Sequence, residues 1–272
     1  MKIGIVGFGF VGKATNSLTN DALIYDIDPS LCSPTGLTLQ QLSEQSDIIF
    51  VSVPTPMNSD GSCHLGILET VIYEIKRCTP DTPIVIRSTV PPGTSDRLGC
   101  YFMPEFLTER NFMSDFIHTP EWIFGDDENN TFRSLISDLF TTAKSKNKIT
   151  SDRVTFVTTK EAEMIKLFRN TFLATKVSFC NEFYRFCEQH TVNYENVRRV
   201  AVADSRIGDS HTFVPGPDDR FGFGGTCFPK DVANVVHLMK SSSYILRSAL
   251  TRNETVDRPE KDWEHNKGRA VV

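Results

Sequence analysis

KIGIVGFGFVGKATNSLTNDALIYDID, residues 2–28, decides the fold. Residues 1–6 are a short apolar run with no polar alternation, which reads as a strand buried on both faces. Three glycines follow at once, Gly7, Gly9 and Gly12. The first permits a tight turn, the second a close approach of backbone to a pyrophosphate, and the third close packing of helix on strand. A helix can then run over 11–18, and Phe10 and Val11 at the junction of glycine turn and helix are candidate cofactor contacts. Its N–H groups are free to meet phosphate. A second apolar run ends in Asp26, nineteen residues after Gly7. A carboxylate there accepts hydrogen bonds from a ribose diol and repels a 2′-phosphate, which favours NAD over NADP. Asp28 is a second candidate for the ribose.

The alternation continues outward. Apolar runs at 47–54, 83–91, 121–127 and 153–159 read as strands. Helical patterns at 64–77, 93–99 and 128–140 separate them. Strands alternating with helices predict an α/β domain over 1–157 with a Rossmann-like, doubly wound, mostly parallel sheet. Ligands of such sheets lie beyond the strand C-termini. Thr55 in VPTP and Thr89 in RSTVPPGT fall at such ends, where Ser, Thr and Pro also serve as ordinary turn punctuation.

The second half is predicted all-helical. Residues 159–190 contain no Pro or Gly, and their apolar positions cover more than one stripe. A helix of that length spans about 45 Å. A broad apolar surface buries itself between domains or subunits, so this helix is read as the spine of a central domain over 158–257 and as a dimer surface. Lys166 and Asn170 share a face at i, i+4. Their flanks, MIKLFRNTFLA, are apolar, so both polar groups need partners. Glu161 and Glu163 are expected to favour the helix dipole. Further helices are expected at 193–202, 231–239 and 243–256, then a polar tail at 258–272.

GFGGTCFPKD, residues 222–231, sets three glycines before Cys227, with Lys230 and Asp231 beyond it. Pro229 suits a helix's first turn. Cys227 just ahead of a helix N-terminus reads either as a thiol favoured toward thiolate or as a small buried hydrophobe.

The totals narrow the function. A net charge of −5 gives a nucleic-acid partner no electrostatic support. No apolar run is long enough to span a bilayer. The seven cysteines contain no CxxC pair, so neither a metal site nor a redox pair is indicated, and the odd count points to a reducing cytoplasm.

Together, GFGFVG, VPTP, RSTVPPGT, MPEFLTE (103–109), EMIKLFRNTFLA (163–174), DSRIG (204–208) and GFGGTCFPKD resemble the UDP-glucose/GDP-mannose dehydrogenase family, in the family's order and over residues 1 to about 240. The resemblance implies NAD-dependent, four-electron oxidation of the C6 alcohol of a nucleotide sugar, such as UDP-glucose, to a carboxylate. It implies Cys227 as the nucleophile, passing through a thiohemiacetal and a thioester. Lys166 and Asn170 match donors to the developing oxyanion. Asp231 and Thr89 match groups that position a water, and Glu105 matches a hydrolytic base. Glu109 and Lys230 match residues near the cofactor. Glu105, Phe106, Leu107, Phe223, Gly224 and Arg206 match residues near the sugar, Arg206 reaching it across a homodimer interface. Arg87 and Met103 depart from the family's usual lysine and asparagine. A third, nucleotide-binding domain typical of the family is expected to be absent. Two rival readings remain: a two-electron dehydrogenase of the β-hydroxyacid type, and an NAD-binding module without turnover.

Overall fold

The computed structural model describes residues 1–126 and 128–272. Asp127, expected to close a strand, lies outside the described residues. The chain divides into two compact units, the first comprising Met1–Thr55 and Leu65–Lys166, the second Pro56–His64 and Leu167–Val272.

The first unit carries seven strands: β1 (Ile3–Val6), β2 (Leu23–Tyr25), β3 (Ile48–Val51), β4 (Ile84–Ile86), β5 (Tyr101–Phe102), β6 (Trp122–Gly125) and β7 (Val154–Val157). They form one sheet of order β2-β1-β3-β4-β5-β6-β7. Every pairing is parallel except β5 with β6. Helices α1 (Phe10–Thr15), α2 (Leu39–Gln45), α3 (Gly66–Cys78), α4 (Thr94–Leu98), α5 (Phe112–Ile117) and α6 (Asn130–Ser145) connect the strands.

The central strands explain their own composition. On β3, Ile48 and Phe50 enter one apolar cluster with Phe116 of α5 and Phe132, Ile136 and Phe140 of α6. Ile49 and Val51 enter the opposite cluster with Leu42 of α2 and Leu68, Ile72 and Ile75 of α3. Both faces are covered, so the strand has no reason to alternate. The expected α/β, doubly wound architecture is what forms. The expectation passes over α2, β5 and α5. A signal for α2 existed: Thr38 and Gln41 make a reciprocal capping box. The two-residue β5 is too short to announce itself.

The direction of the chain reverses at β1, whose neighbours are β2 and β3. That switch point opens a crevice beyond the C-terminal end of β1.

Helix α7 (Thr159–Gln189) is continuous over 31 residues, in agreement with the sequence. In the second unit follow α8 (Tyr194–Ala201), α9 (Phe228–Met239) and α10 (Ile245–Arg252), close to expectation. Ala174, Phe223, Val232 and Val236 form one core cluster there, and Cys180, Cys187 and Tyr194 another. The final residues are polar in composition, yet Arg258, Trp263 and Ala270 are buried. Among the described residues no helix is long and apolar enough to cross a membrane.

One expectation about α7 needs correction. Glu161 does serve its own helix, accepting from the Thr158 N–H. Glu163 does not. Its buried carboxylate accepts the Gly93 and Ser95 N–H groups at 2.5 and 2.8 Å, capping the start of α4. Burial pushes its pKa up, against those hydrogen bonds.

Candidate active site

At the switch point Gly7 has φ +86° and its N–H bonds to the Tyr25 carbonyl. A Cβ on Gly12 would lie 2.0 Å from the Gly7 oxygen, so only glycine allows this helix and turn to pack. A Cβ on Gly9 would meet nothing within 4 Å. Gly9 is the N-cap of α1, and it has no side chain with which to cap that helix start. The first turn, with Phe10 and Val11, therefore turns backbone N–H donors toward space an anion can fill. Asp26 follows β2, and its carboxylate accepts the Phe8 N–H at 2.6 Å and the Asp28 N–H at 3.0 Å. Asp28 turns away to cap the next turn through Ser30, which leaves Asp26 as the ribose candidate. Thr55 Oγ1 donates to the Thr89 carbonyl at 2.8 Å, and Ser88 Oγ donates to the Val53 carbonyl at 2.6 Å. These bonds tie together the loops leaving β3 and β4. The glycine turn, Asp26, Thr55 and Thr89 thus share the C-terminal edge of the sheet. A dinucleotide fits these residues: open space at Gly9, a helix start without a side-chain cap, and an acid at the end of β2.

MPEFLTE forms the loop after β5, and its two acids part company. Glu109 is exposed, whereas Glu105 is buried. Lys166, 3% exposed, donates to Glu105 Oε1 at 2.5 Å and to the Glu105 carbonyl at 2.6 Å. Leu107 N–H reaches the other carboxylate oxygen at 2.9 Å, and the Phe106 ring lies 5.6 Å from the ammonium. Burial alone would raise the Glu105 pKa. The Lys166 charge and hydrogen bond, the Leu107 N–H and Arg87 outweigh it and hold the carboxyl below its usual range. Met103 is buried in the sheet's core. Arg87 is buried, donates to Thr15 Oγ1 at 2.5 Å and lies 5.4 Å from the Phe116 ring. Burial lowers its pKa to about 10, with Glu105 pulling the other way, so it stays charged at neutral pH.

In the second unit Cys227 is the N-cap of α9, half-buried, with Pro229 in the first turn as the sequence implied. One turn in, Asp231 is buried, with both carboxylate oxygens engaged. Asn170 Nδ2 donates to one and Lys230 Nζ to the other, each at 2.6 Å. Burial disfavours the Lys230 charge, but Asp231, Cys227 and Cys63 more than compensate and raise its pKa. The cluster Cys227–Lys230–Asp231–Asn170 therefore sits together, although Lys230 and Asn170 were read into different roles. Phe223 and Gly224, matched by resemblance to residues near the sugar, lie in the loop before Cys227. The Phe223 ring belongs to the core, and its N–H and carbonyl both bond Asn253. Gly224 lies against Arg258. Arg206 is exposed and pairs with Asp204.

Fold and glycine turn define the first unit as a dinucleotide-binding domain of the dehydrogenase type. Residues 36–144 match the NAD binding domain of the UDP-glucose/GDP-mannose dehydrogenase family, and residues 160–255 match its central domain. The chain belongs to that family, and its cofactor is NAD. It is 28% identical to the UDP-glucose 6-dehydrogenase of Campylobacter jejuni over 93% of its own length and 72% of that protein. To the Pseudomonas aeruginosa protein of the same name it is 32% identical over 76% of its length, and it spans 48% of that relative. Several rickettsial relatives of that name are likewise matched over about half their length. Among solved structures, a UDP-glucose dehydrogenase from Pyrobaculum islandicum superposes with a TM-score of 0.79 at 24% identity. That match covers 93% of this chain and 68% of the other, and it establishes the fold.

Proposed function

We propose that this chain carries out the four-electron oxidation of the C6 alcohol of a nucleotide sugar, UDP-glucose to UDP-glucuronate, through a covalent bond to Cys227. The observation that carries the reading is the thiol at the start of α9, within electrostatic reach of Lys230, which together with Asn170 engages the buried Asp231 carboxylate. A helix N-terminus and an ammonium together favour a thiolate nucleophile. Gly7, Gly9, Gly12 and Asp26 would hold NAD, which would supply the hydride acceptor for each of the two oxidations.

The alcohol first loses a hydride from carbon and a proton from oxygen, giving an aldehyde. The Cys227 sulfur pair then forms a C–S bond as the carbonyl pair moves to oxygen. Loss of a second hydride leaves a thioester. Water adds, the C–S bond breaks, and the acid and the thiolate separate. Lys166 and Asn170 donate to the oxygen where negative charge develops. Asp231 and Thr89 orient the water that relays the proton. Glu105, kept ionised by Lys166, accepts a proton in hydrolysis.

We further propose a homodimer through α7. Met164, Phe168, Phe172, Phe179, Phe183 and Phe186 recur every three, four or seven residues and are exposed, Phe168 at 70% and Phe179 at 65%. So long an apolar stripe in water marks an interaction surface.

Counting NADH and product tests the chemistry. The wild-type protein is expected to form two NADH per UDP-glucose and to yield the uronate. Cys227→Ser is expected to form some NADH but no acid. Uronate made by that variant at the wild-type rate would overturn the nucleophile. One NADH per sugar with a carbonyl product would favour the two-electron reading instead.

A further inference from the structure

The loop that delivers Cys227 is held by residues outside the charged cluster of Lys230, Asp231 and Asn170. Asn253, fully buried, accepts the Phe223 N–H on Oδ1 and donates from Nδ2 to the Phe223 carbonyl, both at 2.8 Å. One amide thus closes a two-bond clip on a single peptide segment. Asn253 sits where the helical hydrogen bonding widens, with Arg258 N–H reaching back to the Asn253 carbonyl. Such widened turns displace a side chain from the regular helical register. One residue earlier in the loop, the Gly222 N–H bonds to Asn181 Oδ1 at 3.1 Å. Against Gly224 lies Arg258, 1% exposed, ion-paired with Asp218 and 3.8 Å from Asp262.

These contacts explain the glycines of the motif. A Cβ on Gly222 would stand 2.3 Å from Asn253 Oδ1, and one on Gly224 would stand 1.7 Å from Arg258 Nη1. The close approach that the glycines permit is therefore to the chain's own closing segment. Gly225 is different: it has φ +74°, and a Cβ there would meet nothing within 4 Å. Between the clip at 222–224 and the first turn of α9, the backbone bearing Cys227 has a fixed end on each side.

We infer that Asn253 and Arg258 are positioning residues that set where the Cys227 sulfur stands, by clamping the backbone of the loop before it. Neither was singled out in the sequence, and Arg258 lies beyond the matched residues 160–255. A nucleophile displaced by about 1 Å loses on the order of a hundredfold in rate. The inference rests on Cys227 being the nucleophile, and its test separates the two.

The experiment uses the full chain with Asn253→Asp and, separately, Arg258→Lys. Site-resolved alkylation of Cys227 by iodoacetamide is followed by mass spectrometry from pH 5 to 9, alongside kcat and the KM for NAD. The Asn253→Asp change keeps the side chain's shape but sets an anionic acceptor against the Phe223 carbonyl. Expected is a tenfold or greater change in Cys227 alkylation and in kcat at pH 8, with KM for NAD unchanged. The variant-to-wild-type ratio should recover toward pH 5, where the introduced carboxyl, once protonated, again donates to that carbonyl. Arg258→Lys keeps the charge but loses the planar fork, and should move alkylation and kcat in the same sense. Folded variants with wild-type alkylation, or an altered ratio that does not vary with pH, would overturn the clamp. A clamp that governs alkylation while Cys227→Ser still makes uronate would instead overturn the nucleophile.

Discussion

Replacing Lys166 with Met should destabilise the first unit, and the structure indicates by how much. The ammonium is almost wholly buried and makes two hydrogen bonds to Glu105, at 2.5 and 2.6 Å. Without it, Glu105 remains in the interior with the Leu107 N–H and the more distant Arg87 charge for company. Removing one member of a buried pair costs about 3–5 kcal/mol, and Arg87 places the expectation near the lower bound. Replacing both residues, as Glu105→Met with Lys166→Met, should cost roughly 1 kcal/mol or less, because no charge is then left unpaired. The sign of the pH dependence follows from the depressed Glu105 pKa. The pair's stabilisation is present above the ordinary carboxyl value of 4.5 and is lost as pH falls through the lower folded value. The Lys166→Met penalty should therefore shrink as pH drops from 7 toward 4, where the orphaned carboxyl takes up a proton. The two tryptophans make the assay clean. Trp122 is buried in the first unit and Trp263 in the second, so urea unfolding in a Trp263→Phe background reports on the first unit alone. A Lys166→Met loss under about 1 kcal/mol at pH 7, or a penalty that does not vary with pH, would refute the reasoning.

Two further outcomes are expected. Asp26→Ala removes the acceptor of the Phe8 N–H and the charge facing a 2′-phosphate. The ratio of kcat/KM for NAD over NADP should fall at least tenfold, about 1.4 kcal/mol of discrimination; an unchanged ratio means Asp26 does not read the ribose. Phe168→Glu combined with Phe179→Glu places two charges on the exposed stripe of α7. Light scattering should report half the wild-type mass, and a wild-type mass that is already monomeric ends the dimer proposal.

Residues 1–28 announced the first unit because everything they encode is local. An apolar run, a turn only glycine can make, a helix and an acid at the end of the next strand interact within one another's reach. The long helix was equally legible, since 31 residues without Pro or Gly leave few alternatives. Cys227 at the head of α9 followed from Pro229 two residues on. What the sequence could not carry were partnerships across distance. Glu163 looks like a helix-start acid, yet it caps α4 some seventy residues away. Glu105 and Glu109 look equivalent at i, i+4, and only packing buries the first against Lys166 and leaves the second in solvent. Asn253 and Arg258 carry no motif, and what distinguishes them is the glycine backbone folded against them from thirty residues upstream. Composition and period decide what a segment becomes. Which polar group is desolvated, and what then satisfies it, is decided only when the segments close on one another and exclude water.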